Sequence, residues 1–156
     1  MKLHTYFRSS AAWRVRIALA LKGLDWEPDF VHLTKDGGGQ NTGAYRALNP
    51  QGLVPTFEDG EVRLGQSLAI IEYLDETHPE PSLLPGDGAM RARIRAFALS
   101  VACEIHPLNN LRVLQHLTGP MALNEEAKTA WYRHWVAVGF AALEASLPTD
   151  ATARGV

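Results

Sequence analysis

At 156 residues the chain is long enough for one domain or two small ones, and its hydrophobic fraction of 46% with 21% charged residues is that of an ordinary folded protein. A formal net charge of -2 argues against nucleic acid or an anionic membrane as a partner held by bulk charge. No apolar run approaches the ~20 residues of a membrane span, and Lys2, His4, Arg8, Arg14 and Arg16 interrupt any signal-peptide pattern. With Cys103 as the only cysteine, no internal disulfide is possible, so a reducing, cytoplasmic setting is expected. Cys103 lies in an apolar helical run and reads as a small buried hydrophobe.

In chain order, residues 2–7 alternate loosely as a strand. Ser9 or Ser10 then caps a helix running to Lys22, with Gly23 just past its end. Phe30–Leu33 reads as a second strand, and Lys35–Asn41, with three consecutive glycines, as a loop. A short helical turn over Ala44–Leu48 stops before Asn49-Pro50. Val54–Glu58 and Glu61–Leu64 are strands joined at Asp59-Gly60, a strong hairpin signal. Ser67 is expected to cap the next helix, whose apolar stripe is Leu68, Ile71 and Leu74 and which ends at His78-Pro79.

The order βαβαββα over residues 1–80 predicts one mixed sheet with helices on both faces. Residues 81–88, rich in proline and glycine, read as a linker, and residues 89–156 as an all-helical domain. Pro107 should break the helix that starts at Ala89. Asn124 caps a last helix with Trp131, Trp135, Val138 and Ala142 on one side, ending near Leu147-Pro148. So short a helical part buries little apolar surface by itself, so it is expected to pack on the first domain, on a second subunit or on further chain.

Four groups of residues carry candidate chemistry. Ser9 and Ser10, between Arg8 and Arg14, place hydroxyls at the positive end of a helix, which suits an anion; plain capping explains them as well. Val54-Pro55 fits either an edge-strand proline in trans or a cis-proline that turns the Val54 backbone toward an extended peptide. Gln66-Ser67, with Gln40 in the glycine-rich loop, could hold a peptide's carboxylate at a helix start, or Ser67 could simply cap. His106, Asn110 and Arg112 surround the break at Pro107, where they either satisfy freed backbone groups or line a pocket for a diacid. The six histidines show no paired ligand spacing, so no metal is expected, and the glycine loop lacks the Lys-Ser/Thr of a phosphate cradle.

The runs Arg8–Leu19, Ala47–Pro55 and Gln66–Leu74 resemble the zeta-class glutathione transferases, the family of the maleylacetoacetate isomerases, and the likeness extends from residue 1 to about 147. The resemblance implies a thioredoxin-like N-terminal domain, an all-α C-terminal domain, a homodimer and glutathione as cofactor. Its activity would be cis–trans isomerisation of maleylacetoacetate to fumarylacetoacetate in aromatic amino-acid catabolism. Alternatives are maleylpyruvate isomerisation, general glutathione transfer, or a non-catalytic glutathione-binding module. Residue by residue, the likeness implies that Ser9, Ser10 and Arg14 are catalytic. Ser9, Ser10, Ala11, Gln40, Val54, Gln66, Ser67, His106 and Asn110 would bind glutathione, and Arg8, His106, Asn110 and Arg112 the small dicarboxylic substrate. Ala11 departs from the cysteine of many relatives. Relatives also continue past this C-terminus into a segment that supplies another arginine, so the helical domain is expected to be truncated here.

Overall fold

Residues 1–147 are described by a computed structural model of the chain, which divides into two units after Pro85. In the first unit, β1 (Lys2–Thr5) lies at the centre of a four-stranded sheet of order β2-β1-β3-β4. It pairs in parallel with β2 (Glu27–Phe30) and antiparallel with β3 (Thr56–Asp59), which forms a hairpin with β4 (Val62–Leu64). Helix α1 (Ser10–Leu21) connects β1 to β2, α2 (Gly43–Leu48) precedes β3, and α3 (Ser67–Thr77) follows β4. The βαβαββα order and the thioredoxin-like sheet are those expected from the sequence.

Alternation along β1 sets the two faces of the sheet. Leu3 meets Val15 and Leu19 of α1, Phe57 of β3, and Ile70 and Leu74 of α3 in one buried cluster. His4 points to the other face, where its ring meets Tyr45 of α2 edge-on. There His4 Nδ1 lies 2.5 Å from an Asp29 carboxylate oxygen and Nε2 2.7 Å from one of Glu58, so one buried ring ties β1 to both neighbouring strands. The His4 hydrogen bond, with help from Arg63 and against burial, holds the Glu58 carboxyl below its usual range.

Several boundaries differ from the sequence reading. The second strand is Glu27–Phe30 rather than Phe30–Leu33. It is an edge strand, so Pro28 needs no second partner and Phe30 can be 74% exposed; apolarity marks neither end of such a strand. The hairpin turn is Gly60-Glu61, with Gly60 at φ +57°, one residue later than expected. The glycine loop folds into two single 3₁₀ turns, Lys35–Gly37 and Gly39–Asn41. On α3 the buried stripe is Ser67, Ile70 and Leu74, while Leu68 and Ile71 are only partly covered.

The C-terminal halves of α1 and α3 are joined by a buried ion pair. Lys22 Nζ donates to Asp75 Oδ1 at 2.8 Å, to the His78 carbonyl at 2.6 Å and to the Pro81 carbonyl at 2.9 Å. Asp75 Oδ1 also accepts from the Leu83 N–H at 2.7 Å, which fastens the proline-rich stretch after α3 onto the first unit.

The second unit consists of α4 (Gly88–Leu99), a π-helical segment at Ser100–Ile105, a 3₁₀ turn at Pro107–Asn109, α5 (Leu111–Thr118) and α6 (Glu125–Ser146). Asp87, Asn110 and Asn124 cap the three α-helices through their side chains. Helix α6 lies against the π segment at Gly139, where a Cβ would overlap the Ile105 side chain. Its inward stripe is therefore Trp131, Trp135, Gly139 and Leu143 rather than the expected Val138 and Ala142, and Val138 is 50% exposed. Cys103 is exposed, not buried, because the wider π turn rotates it away from the packed side. The expected end of the chain beyond Leu147 falls outside the described residues. No helix among the described residues is long and apolar enough to cross a membrane.

Burial alone would raise the Asp75 carboxyl, but Lys22 and the Leu83 and Leu84 N–H groups outweigh it and hold the group below its ordinary value. The stabilisation is thus complete at neutral pH and is lost as acid drives the pH through the folded-state pKa. Lys22→Met leaves a buried carboxylate without its cation and is expected to cost about 3 kcal/mol. The same variant should lose the wild type's fall in stability below about pH 4, where unfolded carboxylates titrate. Urea unfolding followed by circular dichroism across an acid pH series checks both; a change under 0.5 kcal/mol, about the size of an ordinary surface substitution, would contradict the assignment.

Candidate functional site

The candidate site is assembled on the N-terminal ends of α1 and α3. The chain leaves β1 at Thr5, and Ser9 supplies the cap: its Oγ accepts from the Ala12 N–H at 3.2 Å while its own N–H donates to the Tyr6 carbonyl at 3.0 Å. A hydroxyl that accepts from the helix keeps its proton to donate outward, at the positive end of the helix dipole. This settles Ser9, not Ser10, as the cap. Ser10 and Ala11 occupy the first turn, and Arg8 is exposed on the preceding corner.

The start of α3 differs from every other α-helix among the described residues. It alone has no side-chain cap. The expectation that Ser67 caps it is corrected: Gln66 holds the cap position, and Ser67 is the first helical residue, buried, with its Oγ accepting from Arg14 Nε at 3.0 Å. Gln66 has φ +63°, a left-handed backbone that costs a residue with a Cβ about 1–3 kcal/mol and is found most often at functional sites. Its exposed side chain donates through Nε2 to Gln51 Oε1 at 3.0 Å. Because Arg14 occupies one lone pair of the Ser67 oxygen, the Ser67 proton must point elsewhere. Uncapped first-turn N–H groups beside that hydroxyl make a place for a carboxylate.

Val54 lies between α2 and β3 in sequence, and the Val54–Pro55 peptide is cis. Among the described residues, none hydrogen-bonds to the Val54 N–H or C=O. Those two groups have the pattern with which an extended peptide pairs as an added strand. Gln40, 9% exposed, donates through Nε2 to the Leu33 carbonyl at 3.1 Å, while its buried Oε1 has no partner among the described residues. Gly38, at φ +89°, gives the loop room to close over that carboxamide, since a Cβ there would meet both Gln40 and the Leu33 carbonyl.

The second unit holds the remaining candidates. Asn110 caps α5, its Oδ1 accepting from the Arg112 N–H at 3.2 Å, and its Nδ2 lies 3.3 Å from His106 Nε2. The capping role is the structural one the sequence allowed; Arg112 itself is exposed. Gln51, which steadies Gln66, was not singled out from the sequence. The Asn49-Pro50-Gln51-Gly52 turn signal that precedes Val54-Pro55 was the one pointer to it. No cluster of metal-binding side chains occurs among the described residues.

The N-terminal domain of the glutathione S-transferases matches residues 3–82. A probable maleylacetoacetate isomerase of Vibrio cholerae is 53% identical over 145 residues, which cover 93% of this chain and 67% of that protein. The chain belongs to the zeta class of the glutathione S-transferases. Among solved structures, a holo maleylpyruvate isomerase described as a bacterial zeta-class glutathione S-transferase superposes with a TM-score of 0.91 at 46% identity, covering 97% of this chain and 70% of that one. A maleylacetoacetate isomerase from Methylobacterium extorquens AM1, solved with malonate and glutathione, gives the same TM-score at 42% identity, with the same coverage of 97% and 70%. The chain thus spans about two thirds of the length of these relatives.

Proposed function

We propose that this zeta-class chain is a glutathione-dependent cis–trans isomerase that converts maleylacetoacetate to fumarylacetoacetate. The observation that carries the reading is the combination of a Ser9-capped helix start, an uncapped helix start beside the Arg14-tethered Ser67, and an unpaired Val54 backbone within one unit. These groups fit an anionic tripeptide: Val54 would pair with its backbone, Ser67 and Gln66 with a carboxylate, and Gln40, through its orphaned buried oxygen, with an N–H. Held by these residues, glutathione would supply the nucleophilic thiolate for cis–trans isomerisation of a conjugated cis-diacid, being added and expelled again so that it is regenerated.

The work of the protein is to keep that sulfur ionised. Lowering a thiol from near pKa 8.5 by about two units takes roughly 2.7 kcal/mol. A hydroxyl donating to a charged acceptor contributes about 1.5–3 kcal/mol, and a helix terminus about 0.3–1 kcal/mol. Ser9 at the head of α1 supplies both without a basic side chain. Ser10 and Ala11 stand beside it in the first turn, and Arg14 acts one turn further along through Ser67. Arg8 and Arg112 are assigned to the carboxylates of the substrate, with His106 and Asn110 beside Arg112 in the chain. The two relatives of known structure support either maleylacetoacetate or maleylpyruvate as the acid. A homodimer in the cytoplasm is the setting we propose, following the family resemblance.

Ser9→Ala should raise the thiol pKa of bound glutathione by about one to two units, the equivalent of one charge-assisted hydrogen bond. Thiolate ultraviolet absorbance across pH reads this directly, alongside kcat/KM for maleylacetoacetate. Unchanged titration in a folded variant would remove Ser9 from the role, and absence of isomerisation by the wild type would sink the reading. Arg112→Ala should raise KM for the diacid about tenfold or more while sparing a neutral haloalkane. Equal losses on the two substrates would exclude Arg112 as a carboxylate ligand.

A further inference from the structure

Behind Val54 lies a buried polar ring that the proposed chemistry does not use. Tyr45 Oη donates to the Leu53 carbonyl at 2.8 Å and lies 2.9 Å from Thr56 Oγ1. Asn49 Nδ2 donates to the same Leu53 carbonyl and to Thr56 Oγ1, each at 3.0 Å. Proton counting leaves one assignment. Tyr45 has a single proton, given to Leu53, so Thr56 must donate to the Tyr45 oxygen while it accepts from Asn49. Asn49 spends both amide protons, and its Oδ1 accepts from the Gln51 N–H at 3.0 Å. Every donor in the ring is used once.

Such a closed network is directional, because no member can rotate without breaking two bonds. Tyr45, Asn49 and Thr56 are 5%, 7% and 1% exposed, so water does not replace a lost bond cheaply. The ring grips the chain on both sides of Val54-Pro55, at the Leu53 carbonyl and at Thr56. The Val54 and Tyr45 side chains belong to the same buried cluster. The Val54 N–H and C=O are therefore held rigid although nothing within the described chain bonds to them. A backbone kept ready but unused is preorganised for a ligand, since the ordering cost is met before binding.

We propose that Tyr45, Asn49 and Thr56 are positioning residues for the peptide cofactor, acting through Leu53 to aim the Val54 N–H and C=O at its backbone. The inference rests on the glutathione reading above and adds to it the device that presents the strand edge. Burial and the nearby Asp29 carboxylate, against the Thr56 hydrogen bond, raise the Tyr45 hydroxyl above its ordinary pKa, so it remains a donor throughout the working pH range.

The test is calorimetric titration of the full chain with glutathione and with S-methylglutathione, for wild type, Tyr45→Phe, Thr56→Val and Thr56→Ser. A backbone-aiming role predicts that Tyr45→Phe and Thr56→Val weaken both ligands equally, by about tenfold, the equivalent of one hydrogen bond. Thr56→Ser, which keeps the hydroxyl, should bind within about twofold of wild type. The pH titration of the bound thiol should stay unchanged in Tyr45→Phe. Affinities within twofold of wild type in folded Tyr45→Phe and Thr56→Val would overturn the inference, as would a loss confined to the ligand with a free thiol. Failure of the wild type to take up either ligand would overturn the glutathione reading itself, and this inference with it.

Discussion

The structure of the first unit depends on the parallel alignment of α1 and α3 across one face of the sheet. Two polar ties fix it, one at each end. Arg14 to Ser67 joins the N-terminal halves, and Lys22 to Asp75 joins the C-terminal ends, with Val15, Leu19, Ile70 and Leu74 packed between. Helices aligned in this way bring their positive ends to the same edge of the sheet. Two dipoles and two sets of first-turn N–H groups then favour anionic groups at a shared edge. The sheet serves the same end from its other face, where His4 braces β1 against Asp29 and Glu58 and the Tyr45 ring holds the segment before β3.

The two helix starts divide the labour. At α1 the cap is satisfied by Ser9, which retains a proton for an incoming anion. At α3 no side chain intervenes, and Gln66 takes up a left-handed backbone to leave the turn open. An empty cap is costly in a helix that has only its own stability to serve. Among the described residues the other five α-helices are capped by side chains, so α3 alone leaves its first-turn N–H groups open to an outside acceptor.

The fold was legible wherever local chemistry and burial agreed. The Ser9 cap, the Gly23 stop, the Gly60 turn region and the Asn124 cap all sit within a residue of where turn and capping rules place them. The second strand was not legible, because Glu27–Phe30 earns its place through backbone pairing at an edge and not through apolar side chains. Ser67 was misassigned for a related reason: a serine before an apolar stripe reads as a cap, but the Ile70 N–H already bonds to the Gln66 carbonyl, which puts the cap one residue earlier. On α6 the stripe was displaced because Gly139, without a side chain to count, is the residue of closest approach. Exposure of Cys103 follows from a π turn that no spacing rule announces. Candidate site residues were named from motifs and the family resemblance, whereas Gln51 and the Tyr45–Asn49–Thr56 ring emerge only from hydrogen bonds that cross the turn.

On the reading proposed above, an anionic tripeptide lies against the two helix starts and the Val54 backbone. Amide chemical-shift mapping of the labelled chain, titrated with glutathione, tests this most directly. The largest changes are expected at Ser9, Ser10, Val54, Ser67 and Leu68, saturating together. Saturable changes elsewhere that spare these amides, or no changes in a folded sample, would contradict it.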